Sequence, residues 1–101
     1  MKMNRKQKDE LITVLREAQR LLQLPTNDFA WSSWKDAAQA TSEIDKYVEK
    51  IESDDFSSSL EMSVLFGPTG PIQEVSLSSG WGDPFLKLAD RFDQAIKPIR
   101  T

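Results

Sequence analysis

Proline placement most sharply limits what this chain can fold into. Pro25, Pro68, Pro71, Pro84 and Pro98 each fall between apolar-patterned segments or at the edge of one. A proline lacks the amide donor and disfavours helical geometry in the residue before it, so it ends a regular element or opens one. Before Pro25, the residues Leu11, Val14, Leu15, Ala18, Leu21 and Leu22 keep the spacing of one helical face, which predicts a helix over about 4–24. Pro25-Thr26-Asn27-Asp28 reads as the turn that follows.

The next interval predicts a second helix over about 30–53, starting between Asp28 and Ser33, whose side-chain oxygens can both accept from free first-turn amides. Its buried stripe is Trp34, Ala37 or Ala38, Thr41, Ile44, Val48 and Ile51, with Trp31 extending it by one turn. Ala37, Ala38 and Ala40 permit close approach, so the two helices, joined by a short turn, are expected to form an antiparallel hairpin, and Ser53-Asp54-Asp55 ends the second helix.

Beyond it, Leu60, Met62, Val64 and Phe66 alternate with Glu61, Ser63 and Leu65, the two-residue period of a half-buried strand over about 60–66. Gly67-Pro68-Thr69-Gly70-Pro71 is a strong turn signal, and residues 72–79 alternate again with Val75 and Leu77. A two-stranded antiparallel β-hairpin is therefore expected. A left-handed Gly70 in a three-residue loop would pair Val64 with Glu74; a four-residue loop from Pro68 to Pro71 faces Val64 to Val75 and Met62 to Leu77. Burial favours the longer loop, which leaves Leu65 and Ile72 together on the outer face. A last helix over about 84–97 has Asp83 as its cap, Pro84 in its first position, and Phe85, Leu88, Ala89, Phe92, Ala95 and Ile96 on one face, with Pro98 closing it. The order helix, helix, strand, strand, helix implies an α+β fold with the C-terminal helix on one face of the hairpin. One domain spans 1–101, with 1–8 as a basic, frayed lead segment.

The chain has no His and no Cys among its 101 residues, which removes Ser–His and Cys–His nucleophile pairs, thiolate chemistry and ordinary zinc sites. Ser57-Ser58-Ser59, Ser76 and Ser78-Ser79 read as solvated strand and turn residues, and Asp54-Asp55 lacks the glycine and terminal glutamate of a calcium loop. The expectation is a non-enzyme without cofactor or metal. No apolar run is long enough for an export signal or a membrane span, so a cytoplasmic location is expected.

Two features suit recognition. Trp81 lies between Gly80 and Gly82, where it can anchor a partner or fold back as a lid on the core. Residues 43–61 carry Glu43, Asp45, Glu49, Glu52, Asp54, Asp55 and Glu61 against only Lys46 and Lys50, a run that can steer a basic partner. The expected partner surface is Trp81, Asp83, Asp54, Asp55, Glu52, Leu65 and Ile72. Lys2, Arg5, Lys6, Lys8, Arg91, Lys97 and Arg100 form terminal clusters in a chain of net charge −3, so nucleic acid is not expected as a partner. These features describe a small soluble protein-interaction domain, in one concrete form an immunity-type protein neutralising a basic partner. The alternatives are a structural homo-oligomer, such as a homodimer, assembled through the β-hairpin, and a small-ligand binder with an aromatic pocket of Trp31, Phe66 and Trp81.

Overall fold

In the computed structural model, which describes residues 3–100, every regular element is helical. The order is α1 (Arg5–Leu22), α2 (Ala37–Glu52), α3 (Ser59–Leu65), α4 (Pro71–Ser79) and α5 (Gly82–Ile96), followed by a 3₁₀ turn at Lys97–Ile99. Helix α1 begins with a reciprocal cap: Asn4 Oδ1 accepts from the Gln7 amide at 2.8 Å, and Gln7 Oε1 accepts from the Asn4 amide at 2.9 Å. It buries Leu11, Val14, Leu15, Ala18 and Leu22 and packs against both α2 and α5. Met3 is buried and Arg5 to Lys8 are helical, so the fraying expected of 1–8 is not seen at residues 3–8; residues 1 and 2 lie outside those described.

Helix α2 starts later than expected, at Ala37 behind the cap Asp36, whose carboxylate accepts from the Gln39 amide at 2.9 Å. The preceding segment is held out of the helix by local bonds, from the Ala30 amide to Asp28 Oδ1 and from the Trp34 amide to Ser32 Oγ. Trp34 is buried ahead of the helix, while Trp31 is 76% exposed and does not extend its stripe.

The expected β-hairpin does not exist, and with it the α+β assignment falls: residues 60–66 and 72–79 belong to helices α3 and α4, and no strand occurs among the described residues. A run of seven residues such as 60–66, apolar at five positions, fits both periods. Burial shows which period holds. Met62, Leu65 and Phe66 are buried at helical spacing, while Leu60, Val64 and Leu77, assigned to the inner face of the hairpin, are 71%, 60% and 68% exposed. In α4 the buried set is Ile72, Val75 and Ser76. Leu65 and Ile72 are therefore core residues rather than an outer pair. A helix satisfies its own backbone, whereas a bare two-stranded ribbon leaves half of its donors to solvent.

The Gly67–Pro71 segment does turn the chain, but between helices. Thr69, at φ 65°, takes the left-handed conformation expected of Gly70. Gly70 itself has an ordinary φ of −76° and caps α4, with Pro71 next, where a missing amide goes unneeded. What Gly70 supplies is the absence of a Cβ, which would run into the Val64 carbonyl and sit 2.9 Å from that of Leu65. Gly80, at φ 86°, ends α4, and the Trp81 amide donates back to the Ser76 carbonyl at 3.0 Å. Helix α5 starts at Gly82, so Asp83 sits within its first turn rather than at the cap. It buries Phe85, Leu88, Phe92, Ala95 and Ile96, and the Phe92 ring stacks on Phe66 with centroids 4.2 Å apart.

Candidate interaction surface

The acidic run of residues 43–61 is in large part internal bracing. Arg16 Nη1 pairs with Asp45 at 2.7 Å, Lys8 Nζ with Asp54 at 3.1 Å and Arg5 with Glu52 at 3.7 Å, so basic residues of α1 are strapped to acids at α2 and its C-terminal edge. Lys8 also donates to the Glu52 carbonyl, which explains a lysine with its stem buried against apolar neighbours. Asp45 additionally accepts from Gln19 Nε2 at 2.8 Å, and hydrogen bonds from Gln19 and Arg16 hold its carboxyl below the usual range. Asp55 accepts from the Ser57 amide at 3.0 Å, and hydrogen bonding by the Ser57 side chain first, then by that amide, holds its carboxyl below the usual range.

Trp81 is 5% exposed, and its indole N–H donates to Asn27 Oδ1 at 2.8 Å across the core edge. It has no face left for a partner. Asp83 is exposed on α5 and makes no ion pair among the described residues, and Leu65 and Ile72 are interior. The predicted surface is thus not one surface. Nor do Trp31, Phe66 and Trp81 share a pocket, since the first is exposed and the other two are buried.

The structure instead brings together residues of α2, α3 and the start of α4. Leu60 and Val64, one turn apart on α3, project into solvent beside Tyr47 and Pro71 and line an open groove of about 410 Å³. Two carboxylates border it. Both oxygens of Glu43 are engaged, Oε1 by the Trp34 indole N–H at 3.0 Å and Oε2 by the Tyr47 hydroxyl at 3.2 Å, so its charge is fixed in place. Partial burial, then the Glu43 charge, push the Tyr47 phenol up to about 12, and the Glu61 carboxylate adds to the shift. Sequence reading missed Leu60 and Val64 because it placed them inside a hairpin; their four-residue separation was the available signal.

Chemically, the groove offers apolar contact and negative charge. Its Tyr47 hydroxyl is held by the Glu43 carboxylate, but burial and that charge make the phenol harder to ionise, the opposite of what an activated nucleophile needs. A Ser-x-x-Lys spacing does occur, Ser32 to Lys35, but the Ser32 hydroxyl accepts from the Trp34 amide and faces the Pro71 carbonyl, not the Lys35 ammonium. Among the described residues no three acidic side chains converge as a cation site would require, and no helix is long and apolar enough to cross a membrane. Compared with protein-family models, with curated proteins and with solved structures, the chain finds no match.

Proposed function

We propose that the protein is a non-catalytic protein-interaction domain that docks its partner on the outer face of α3. The observation that carries this reading is the pair Leu60 and Val64, 71% and 60% exposed on a helix whose opposite side is fully committed to the core. Burying each in an interface is worth up to about 1.5–3 kcal/mol, enough to anchor a complex when a matched partner covers both. Glu43 and Glu61 at the groove set the partner's complementary chemistry: apolar side chains flanked by lysine or arginine. An immunity-type role, in which this face covers a basic surface of another protein, is one form of that reading. A homo-oligomer built on a β-hairpin edge has no edge to use in this fold.

The test is quantitative affinity capture from native lysate with the parent protein and the double variant Leu60→Glu, Val64→Glu. Both positions are solvated, so circular dichroism and melting temperature should stay close to the parent. A stoichiometric partner retained by the parent and lost by the folded double variant supports the reading. Equal capture by both removes α3 as the docking face.

A further inference from the structure

A second cleft lies along the packing seam of α1 and α5, with a volume of about 420 Å³, within the range of small-ligand sites of about 300–1,000 Å³. Its floor is apolar, formed by Leu21, Leu24 and Leu88. Leu24, just past the end of α1, is 41% exposed, which leaves the floor open to solvent rather than sealed. The charges are one-sided: three cations line the cleft against a single carboxylate, in a chain whose net charge is −3. Glu17 is already neutralised by Arg91, with Nη2 to Oε2 at 2.7 Å, and a hydrogen bond from that guanidinium holds its carboxyl below the usual value. Arg20 and Lys87 make no ion pair among the described residues. Arg20 does act on Glu17 through its charge, but that single carboxylate is bonded to Arg91, and an apolar trough flanked by two cations without a direct ion pair is complementary to a molecule with a greasy body and one anionic head.

We propose that this cleft binds a small amphiphilic carboxylate, with its apolar chain along Leu21, Leu24 and Leu88 and its head group between Arg20 and Lys87. The proposal is independent of the α3 docking face, whose charge is of opposite sign. A free amphiphile is favoured over a membrane surface because the cations and the three leucines line one cleft of about 420 Å³, a volume suited to a single small molecule.

The test is titration of the full chain with decanoate below its micelle concentration, followed by amide chemical shifts. Decanol, acetate, decyltrimethylammonium and vesicles containing phosphatidylglycerol serve as comparisons. Decanoate should saturate and shift the amides of Leu21, Leu24 and Leu88, and bind more tightly than decanol by roughly fivefold, as two exposed charge contacts allow. The folded variant Arg20→Gln, Lys87→Gln should lose that preference while still binding decanol, and Leu24→Asp should weaken both. The inference is overturned if decanoate does not saturate, if decanol binds equally well to the parent, if the shifts fall elsewhere, or if only the vesicles bind.

Discussion

Replacing Gly70 with alanine tests the helical reading of residues 59–79 at its tightest point. The φ of −76° suits any L-residue, so backbone strain adds nothing, and restricting the unfolded chain should by itself stabilise by about 0.4–1 kcal/mol. Against this stands a Cβ pressed into the Val64 carbonyl, 2.9 Å from that of Leu65 and 3.1 Å from that of Gly67. These are backbone atoms of the α3 end and the turn, which cannot swing aside as a side chain would. Overpacking of this kind costs about 1–3 kcal/mol, and three carbonyls place it at the upper end, for a net loss of about 2 kcal/mol. For a domain of this size that corresponds to a melting temperature lower by roughly 8–16 °C. Urea unfolding followed by circular dichroism should show a lower midpoint with an unchanged slope. Gly80→Ala is the control: nothing lies within 4 Å of its Cβ, and its cost of about 1 kcal/mol comes only from φ 86°. Asparagine should recover part of that loss at position 80 and none at position 70. If Gly70→Ala is as stable as the parent, or Gly70→Asn is tolerated as a left-handed hairpin glycine would be, the close approach of α3 and α4 is refuted.

Other outcomes follow from single groups. Tyr47 is the chain's only tyrosine, so its absorbance titration is unambiguous: tyrosinate should appear near pH 12 rather than 10, and Glu43→Gln should shift the midpoint downward. Because the unfolded chain ionises first, stability should fall as the pH rises from 10 toward 12; a native midpoint at 10 would contradict the burial of the phenol together with the Glu43 contact. Glu17, lowered by its bond from Arg91, contributes stability that is fully present above pH 4.5 and lost as the pH falls through its folded-state value. Glu17→Gln should therefore flatten the acid limb of the urea midpoint plotted against pH, and an unchanged limb argues against the pair. Trp31→Phe should remove the red-shifted, acrylamide-accessible part of the emission, whereas Trp81→Phe should leave it and cost about 1 kcal/mol through the lost bond to Asn27. Quenching that is unchanged in Trp31→Phe would show that another indole is the exposed one.

Long amphipathic stretches were legible because many turns of repeated spacing leave one solution. Leu11 to Leu22 and Phe85 to Ile96 read as helices on pattern alone, and both lie in α1 and α5. The middle of the chain was not, because seven to nine residues do not separate a period of two from one of 3.6. The deciding signals were local. Gly70-Pro71 has the same helix-opening logic that was recognised at Pro84, and Gly80 is a helix-ending glycine. The surface was misread for the same reason, since choosing the wrong period sends Leu60 and Val64 inward and Leu65 and Ile72 outward. The acids were legible as a run, but not as partners of Arg5, Lys8 and Arg16, because those contacts join residues 29 to 47 positions apart, which no local pattern reports.

Helix α5, with its five core side chains, closes against α1 and α4, and its Phe92 lies ring to ring on Phe66. On a ribosome it follows all four of the other helices. Until it emerges, the parts of α1 and α4 that α5 covers stay open, and a nascent chain stalled before residue 82 would present them to chaperones or to other nascent chains. The rate at which residues 82–96 are translated thus governs how long these helices spend in their stickiest condition.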